Sequence, residues 1–237
     1  MTVSTAQAQE LRSFNNGVLA GLSREFRGVE RSLSGLSAER QRDALLDVAP
    51  GLVGKYGTAS ATGSAVWYER VRRSELGGTF SARQAAAPPS EVVRRNVRWA
   101  AGSLFLGTPD SAYDLLEGAM SRQVLGVSRE TVSENVRRDP QAAGWQRIAQ
   151  PDGCDFCVML SQRGAVYKRG TADFASHDNC RCAALPSWDR SAPEVDVMAY
   201  EASQRTSGMS DAQKSAHNRR VRVWIDDAKW RYPGMFD

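Results

Sequence analysis

Apolar residues in the first 140 positions recur at the helical step rather than the alternating step of a strand. Leu11, Phe14, Val18, Leu22, Phe26, Val29, Leu33 and Leu36 follow at intervals of three and four, which places them on one stripe of a helix. Gly17, Gly21 and Gly28 lie off that stripe and each weakens a helix by about 1 kcal/mol relative to Ala, so this helix needs packing partners. Such a stripe either faces a core or mediates assembly, and the usual role of amphipathic helices favours the core. A second helix is predicted from Ser37 through Leu45, Leu46 and Val48, stopped by Pro50 and Gly51.

Residues 57–64, GTASATGS, are small and polar and read as a loop. Helical signal returns in AVWYERVRRSEL and ends at Gly77-Gly78. AAAPPS, residues 85–90, reads as a linker whose Ser90 caps a helix over EVVRRNVRWAAGSLFL. TPDS at 108–111 opens a further helix through Tyr113, Leu115, Leu116 and Met120. Ser128 is predicted to cap another, bearing Val132 and Val136, which Asp139-Pro140 closes. The arginine pairs at 72–73, 94–95 and 137–138 read as solvated helix faces, because acidic residues are interspersed and no aromatic ladder accompanies them.

From Gly144 the pattern changes. Trp145 and Ile148 lead into a cysteine segment in which AVYK, residues 165–168, reads as a short strand. After Pro186 the chain turns polar, and Lys214, Arg219, Arg220 and Arg222 crowd together in a basic tail. The fold class predicted is α+β: a helical region over 1–140, a small Cys/His-rich module with short strands over 141–190, and the tail over 191–237.

Composition narrows the setting. The chain has 237 residues with 41% apolar and 24% charged content, ordinary for a soluble globular protein with a real core. A net charge of +4 and a pI near 9.0 suit an acidic partner without demanding one. The N-terminus lacks the basic region and apolar run of a signal peptide, and no stretch reaches the roughly 18 apolar residues of a membrane span. The expectation is a cytosolic site of synthesis with no membrane partner, where thiols stay reduced.

All four cysteines and one of the two histidines fall in residues 153–182, as C-x2-C, nineteen residues, then H-x2-C-x-C. A C-x2-C pair closes a tight turn with both sulfurs directed at one ion. In an extended segment Cys180 and Cys182 face the same way while Arg181 points aside. Cys154, Cys157, His177, Cys180 and Cys182 are thus five candidate ligands for a tetrahedral zinc that takes four. The alternatives are two disulfides, or a nucleophile such as Cys157 or Cys180 paired with His177. The reducing setting argues against the first and the clustering of thiols against the second. A closed four-ligand zinc has no open position for water, so it supports structure rather than hydrolysis.

The string DGCDFC followed by HDNCRC resembles the C-terminal signature of MuF-like phage minor capsid, or head morphogenesis, proteins. Asp152, Cys154, Cys157, Gly164, Tyr167, His177, Asn179, Cys180, Arg181 and Cys182 fall on that pattern over about residues 144–186. The departures are Asp178 where the family has Pro, FAS before the histidine in place of a Pro pair, and Gly153 where a polar or basic residue is common. The segment also resembles the form found in phages of actinobacteria, often labelled capsid maturation protease.

The resemblance implies a virion protein of the phage head, assembled in the bacterial cytoplasm. Its partners would be the portal protein and the major capsid or scaffold protein. The expected function is therefore a non-enzymatic minor capsid protein with a structural zinc, whose basic tail touches packaged DNA through Lys214, Arg219, Arg220 and Arg222. Two alternatives stand beside it. A maturation protease would need His217 or His177 with a serine such as Ser215 or Ser210, and a zinc-ribbon-like protein would bind nucleic acid.

Overall fold

A computed structural model describes residues 3–150, 153–165, 167–168, 174, 176–191 and 209–231. Asp152 and Val166, and the tail residues 192–208 and 232–237, lie outside the described residues. The first helix, α1 (Thr5–Leu33), is opened by a reciprocal capping box between Ser4 and Gln7. Its apolar stripe is buried at Leu11, Val18, Leu22 and Phe26, so the stripe serves the core. Phe14 and Leu36 are exceptions, both exposed.

The second helix corrects the sequence reading. α2 (Ala38–Leu76) is capped by Ser37 as expected but runs without a break through Pro50, Gly51 and the whole of GTASATGS. Leu45 and Ala49 before the proline, and Leu52 and Val53 after it, are buried in one core cluster, and that packing outweighs the lost hydrogen bond. The small residues are the surface on which helices approach closely. Gly57, Ser60, Ala61 and Ser64 are all buried, a Cβ on Gly57 would lie 3.4 Å from Val127, and Ser64 Oγ sits 2.7 Å from Ser128 Oγ.

α3 (Ser90–Ala100) and α4 (Gly102–Phe105) follow, with Pro89 rather than Ser90 in the capping position. α5 (Pro109–Arg138) is one continuous helix, so Ser128 caps nothing and is instead buried against α2. The extended segment before α3 is tied down by side chains. Asn135 accepts from Arg83 N–H and donates to Arg83 C=O, and Thr131 Oγ1 accepts from Ala85 N–H. Arg72 also departs from expectation: it is buried against Asp139 and is no solvated face.

β1 (Gly144–Ile148) pairs antiparallel with β2 (Ala183–Ser187), Gly144 opposite Ser187 and Ile148 opposite Ala183. Of the strand expected at 165–168, Tyr167 makes a single antiparallel bridge to Trp145, whose indole stacks on the Tyr167 ring at 4.3 Å. Gly144 permits that approach, since a Cβ there would fall 2.3 Å from the Tyr167 carbonyl oxygen. Between the strands lies α6 (Asp155–Ser161), and α7 (Asp211–Arg231) packs its Ile225 against Met159 and Leu160 of α6.

Two main apolar clusters result. One is built by α1 to α5 alone, around Leu22, Phe26, Val53, Val97, Leu116 and Met120. The other joins α1, α2 and α5 to the sheet through Leu11, Tyr68, Val132, Val136, Trp145, Leu185 and Trp188. Among the described residues the architecture is mostly helical with one two-stranded sheet, the α+β class predicted.

Candidate metal centre

Cys154 is the N-cap of α6 and Cys157 stands three residues on, a spacing that brings side chains at a helix start together. The second half comes from a turn closed by Cys180 N–H donating to His177 C=O. Asn179 occupies that turn with φ +61°, a left-handed conformation that Asn tolerates better than most residues. Its amide lies on Gly118 of α5, where a Cβ would be 3.2 Å away. Asp178 pairs with Arg122 of α5 at 2.7 Å. The turn is therefore fastened to α5 by an ion pair and a close packing contact.

The five predicted ligands converge. Their donor atoms form two triads, Cys154–Cys157–His177 and Cys157–Cys180–Cys182, each with all atoms within 4.8 Å and with Cys157 common to both. His177 Nε2 lies 3.3 Å from Cys154 Sγ and 3.4 Å from Cys157 Sγ, and Cys157 Sγ lies 3.7 Å from Cys180 Sγ. Bonds of about 2.3 Å to sulfur and 2.0 Å to nitrogen make the edges of a zinc tetrahedron about 3.5–3.8 Å. These three distances are close to such edges. The Asp178 carbonyl can only accept, so the 2.7 Å contact from His177 Nδ1 is an N–H donation that leaves the Nε2 lone pair for a metal.

All four thiols are free of disulfide bonds; Cys157, Cys180 and Cys182 are buried and Cys154 is exposed. Arg181 is exposed between two buried cysteines, as alternation predicts. The buried thiols do not titrate alike. Hydrogen bonds from Cys157 and Cys182, with Arg129 nearby, hold Cys180 well below the usual thiol range. Cys157 is pushed up by its bonds to Cys180 and Cys182 and by burial. A bond with Cys157 favours the Cys182 thiolate, but the bond to Cys180 and burial outweigh it and push Cys182 up to about 11. A donor set of soft sulfurs and one imidazole this close together could hold a metal ion.

Sequence spacing missed the surroundings of this cluster. Arg129 of α5 donates from Nε to Cys182 C=O at 2.8 Å and from Nη2 to Cys180 C=O at 2.6 Å. Phe174 is flanked by the guanidinium groups of Arg147 at 3.9 Å and Arg129 at 4.8 Å. Both arginines are buried, and no local pattern marks them, because their partners lie across the fold.

The tail residues sit on α7. Arg219, Arg220 and Arg222 are exposed, while Lys214 is half-buried and reaches Asp211 at 3.5 Å. Among the described residues no hydrogen bond joins either histidine to a serine or carboxylate side chain. Ser210 Oγ instead accepts from Gln213 N–H. No helix among the described residues is long and apolar enough to cross a membrane.

A family model described as VG15 protein matches residues 2–206. No curated protein and no solved structure matches the chain.

Proposed function

The chain belongs to the VG15 protein family and is phage-encoded, and on that premise we propose that it is a minor capsid, or head morphogenesis, protein stapled by a structural zinc. The observation that carries this reading is the convergence of the C-x2-C and H-x2-C-x-C halves onto one metal-competent cluster held against α5. Cys154, Cys157 and His177 form one triad, and we take Cys180, whose sulfur lies 3.7 Å from that of Cys157, as the fourth ligand, with Cys182 a neighbouring thiol. When bound, the ion cross-links the start of α6 to the turn before β2 and leaves no position for water.

The helical body then presents the docking surface to portal or inner shell. α3 and α4 follow almost without interruption, so Trp99, Gly102 and Leu106 recur at helical spacing on an outward stripe. Trp99 is 57%, Phe105 50% and Leu106 81% exposed, large apolar groups that a solitary surface seldom gathers. Co-expression with the phage's portal, scaffold and major capsid proteins tests the proposal. The chain is expected in purified heads in few copies, and replacing Trp99, Phe105 and Leu106 by Ser should cut its incorporation at least tenfold without lowering its melting temperature. Heads that never contain the wild-type chain would refute the reading.

Arg219, Arg220 and Arg222 extend it toward packaged DNA, since exposed cations on one helix bind phosphate whatever the sequence. Duplex binding by the isolated protein should weaken steeply with salt, at a slope of about two to three phosphates, and vanish in the triple Ser variant. Absence of binding at low salt would remove the DNA contact and leave the head role standing.

A further inference from the structure

A buried cation requires an anion. Arg129 is 2% exposed, and its Nε and Nη2 are spent on the carbonyl oxygens of Cys182 and Cys180. Its Nη1 is buried and finds no partner among the described residues. The one buried carboxylate among those residues, Asp139, is held by Arg72. Its two carbonyl partners belong to Cys180 and Cys182, whose sulfurs can carry negative charge, and a second buried guanidinium, Arg147, shares the Phe174 ring with it. An uncompensated guanidinium in that position would be costly, and a fold that keeps one there has a use for its charge.

A zinc bound by three thiolates and one neutral imidazole carries a net charge of −1. From this match, and resting on the zinc reading above, we propose that Arg129 is the built-in counter-charge of the metal centre. α5, the helix that spans both apolar clusters, thus holds the cluster electrostatically as well as through Arg122 and Gly118. Arg129 acts as a positioning residue: it grips the backbone on either side of Arg181 and neutralises the centre without ligating the ion. Loading is thereby coupled to the helical body, because the guanidinium that holds the Cys180 and Cys182 carbonyls sits beside the centre that bound zinc would make anionic.

The test separates charge from hydrogen bonding. Arg129→Gln keeps N–H donors for the two carbonyls but removes the charge, whereas Arg129→Lys keeps the charge but loses the fork. Zinc affinity is read by competition with a chromophoric chelator, and melting temperature is read with zinc and with chelator in excess. Arg129→Gln is expected to weaken zinc binding 10–100-fold, the range found for partners of metal ligands, and Arg129→Lys by no more than about threefold. Arg129→Gln should lower the melting temperature more with zinc than in chelator, because the centre carries its full negative charge only when the metal is bound. The proposal is overturned if Arg129→Gln binds zinc as wild type does, if both variants weaken alike, or if Arg129→Gln lowers the melting temperature equally in both conditions. A wild-type chain that binds no zinc would fail the zinc reading itself, an outcome distinct from these.

Discussion

Cys157→Ser is expected to abolish zinc binding, which for wild type purified under reducing conditions is proposed to be one zinc per molecule. Cys157 is the ligand shared by both triads, and its sulfur makes two of the three contacts with tetrahedral edge length. Structural zinc contributes about 10–16 kcal/mol of apparent free energy in small zinc-finger peptides. The loss here should be smaller, because β1 and β2 are also held by an apolar cluster that includes Trp145, Leu185 and Trp188. The change should be local. Amide exchange in 153–182 should rise by several orders of magnitude, while far-ultraviolet circular dichroism stays close to wild type, since the α1–α5 core does not include the cysteines. Cys182→Ser should keep the metal. A zinc ratio near zero for wild type, with all four thiols titratable in the folded state, would sink the metal assignment. Loss of zinc in Cys182→Ser with retention in Cys180→Ser would exchange those two in the ligand set.

The parts of this centre that were legible in the sequence are those set by local spacing. Cysteines three apart at a helix start, and two apart in an extended run, converge for reasons of backbone geometry alone. Arg129 was illegible because it reaches Cys180 and Cys182 from more than fifty positions away. Asp178, a departure from the MuF-like signature that the sequence resembles, becomes intelligible once Arg122 is found beside it. The helices divide along the same line. The α1 stripe was plain because its periodicity is strict, and Ser37 marked the start of α2 because capping is local.

Pro50 and GTASATGS misled for opposite reasons. Packing of Leu45, Ala49, Leu52 and Val53 carries α2 across a residue whose intrinsic preference is to end it. The run of Gly, Ser and Ala has a loop's composition, yet it meets the need of two long helices to cross closely, as Ser64 and Ser128 do. Composition alone does not separate these uses; the identity of the facing helix does.

The second large effect is expected at Asp139, where the helical body and the cysteine-bearing sheet are joined. Its carboxylate is 0% exposed and accepts from Arg72 Nε at 2.9 Å, Trp188 Nε1 at 3.1 Å, Gln141 N–H at 3.0 Å and Tyr68 Oη at 3.3 Å. Those donors come from α2, the turn after α5 and the residue after β2, so one anion ties three parts of the chain. Asp139→Asn preserves shape but leaves Arg72 buried without a counter-charge, which should cost about 3–5 kcal/mol in urea unfolding at pH 7. Burial alone would push this carboxyl up, but the bonds from Trp188, Arg72 and the Gln141 amide outweigh it and hold the pKa below the ordinary Asp value. A group depressed in the folded state stabilises fully above its unfolded pKa, about 3.9, and loses that contribution as pH falls through the folded value. The gap between wild type and Asp139→Asn should therefore be constant from pH 5 to 7 and narrow as pH drops below about 4. A gap under 1 kcal/mol at pH 7, or one that persists undiminished in acid, would show that the Arg72–Asp139 pair does not hold the sheet to the helices. With the gap as expected, Asp139→Asn should also loosen the module that carries Cys180 and Cys182, because Trp188 anchors the far end of β2, the strand that begins just after Cys182.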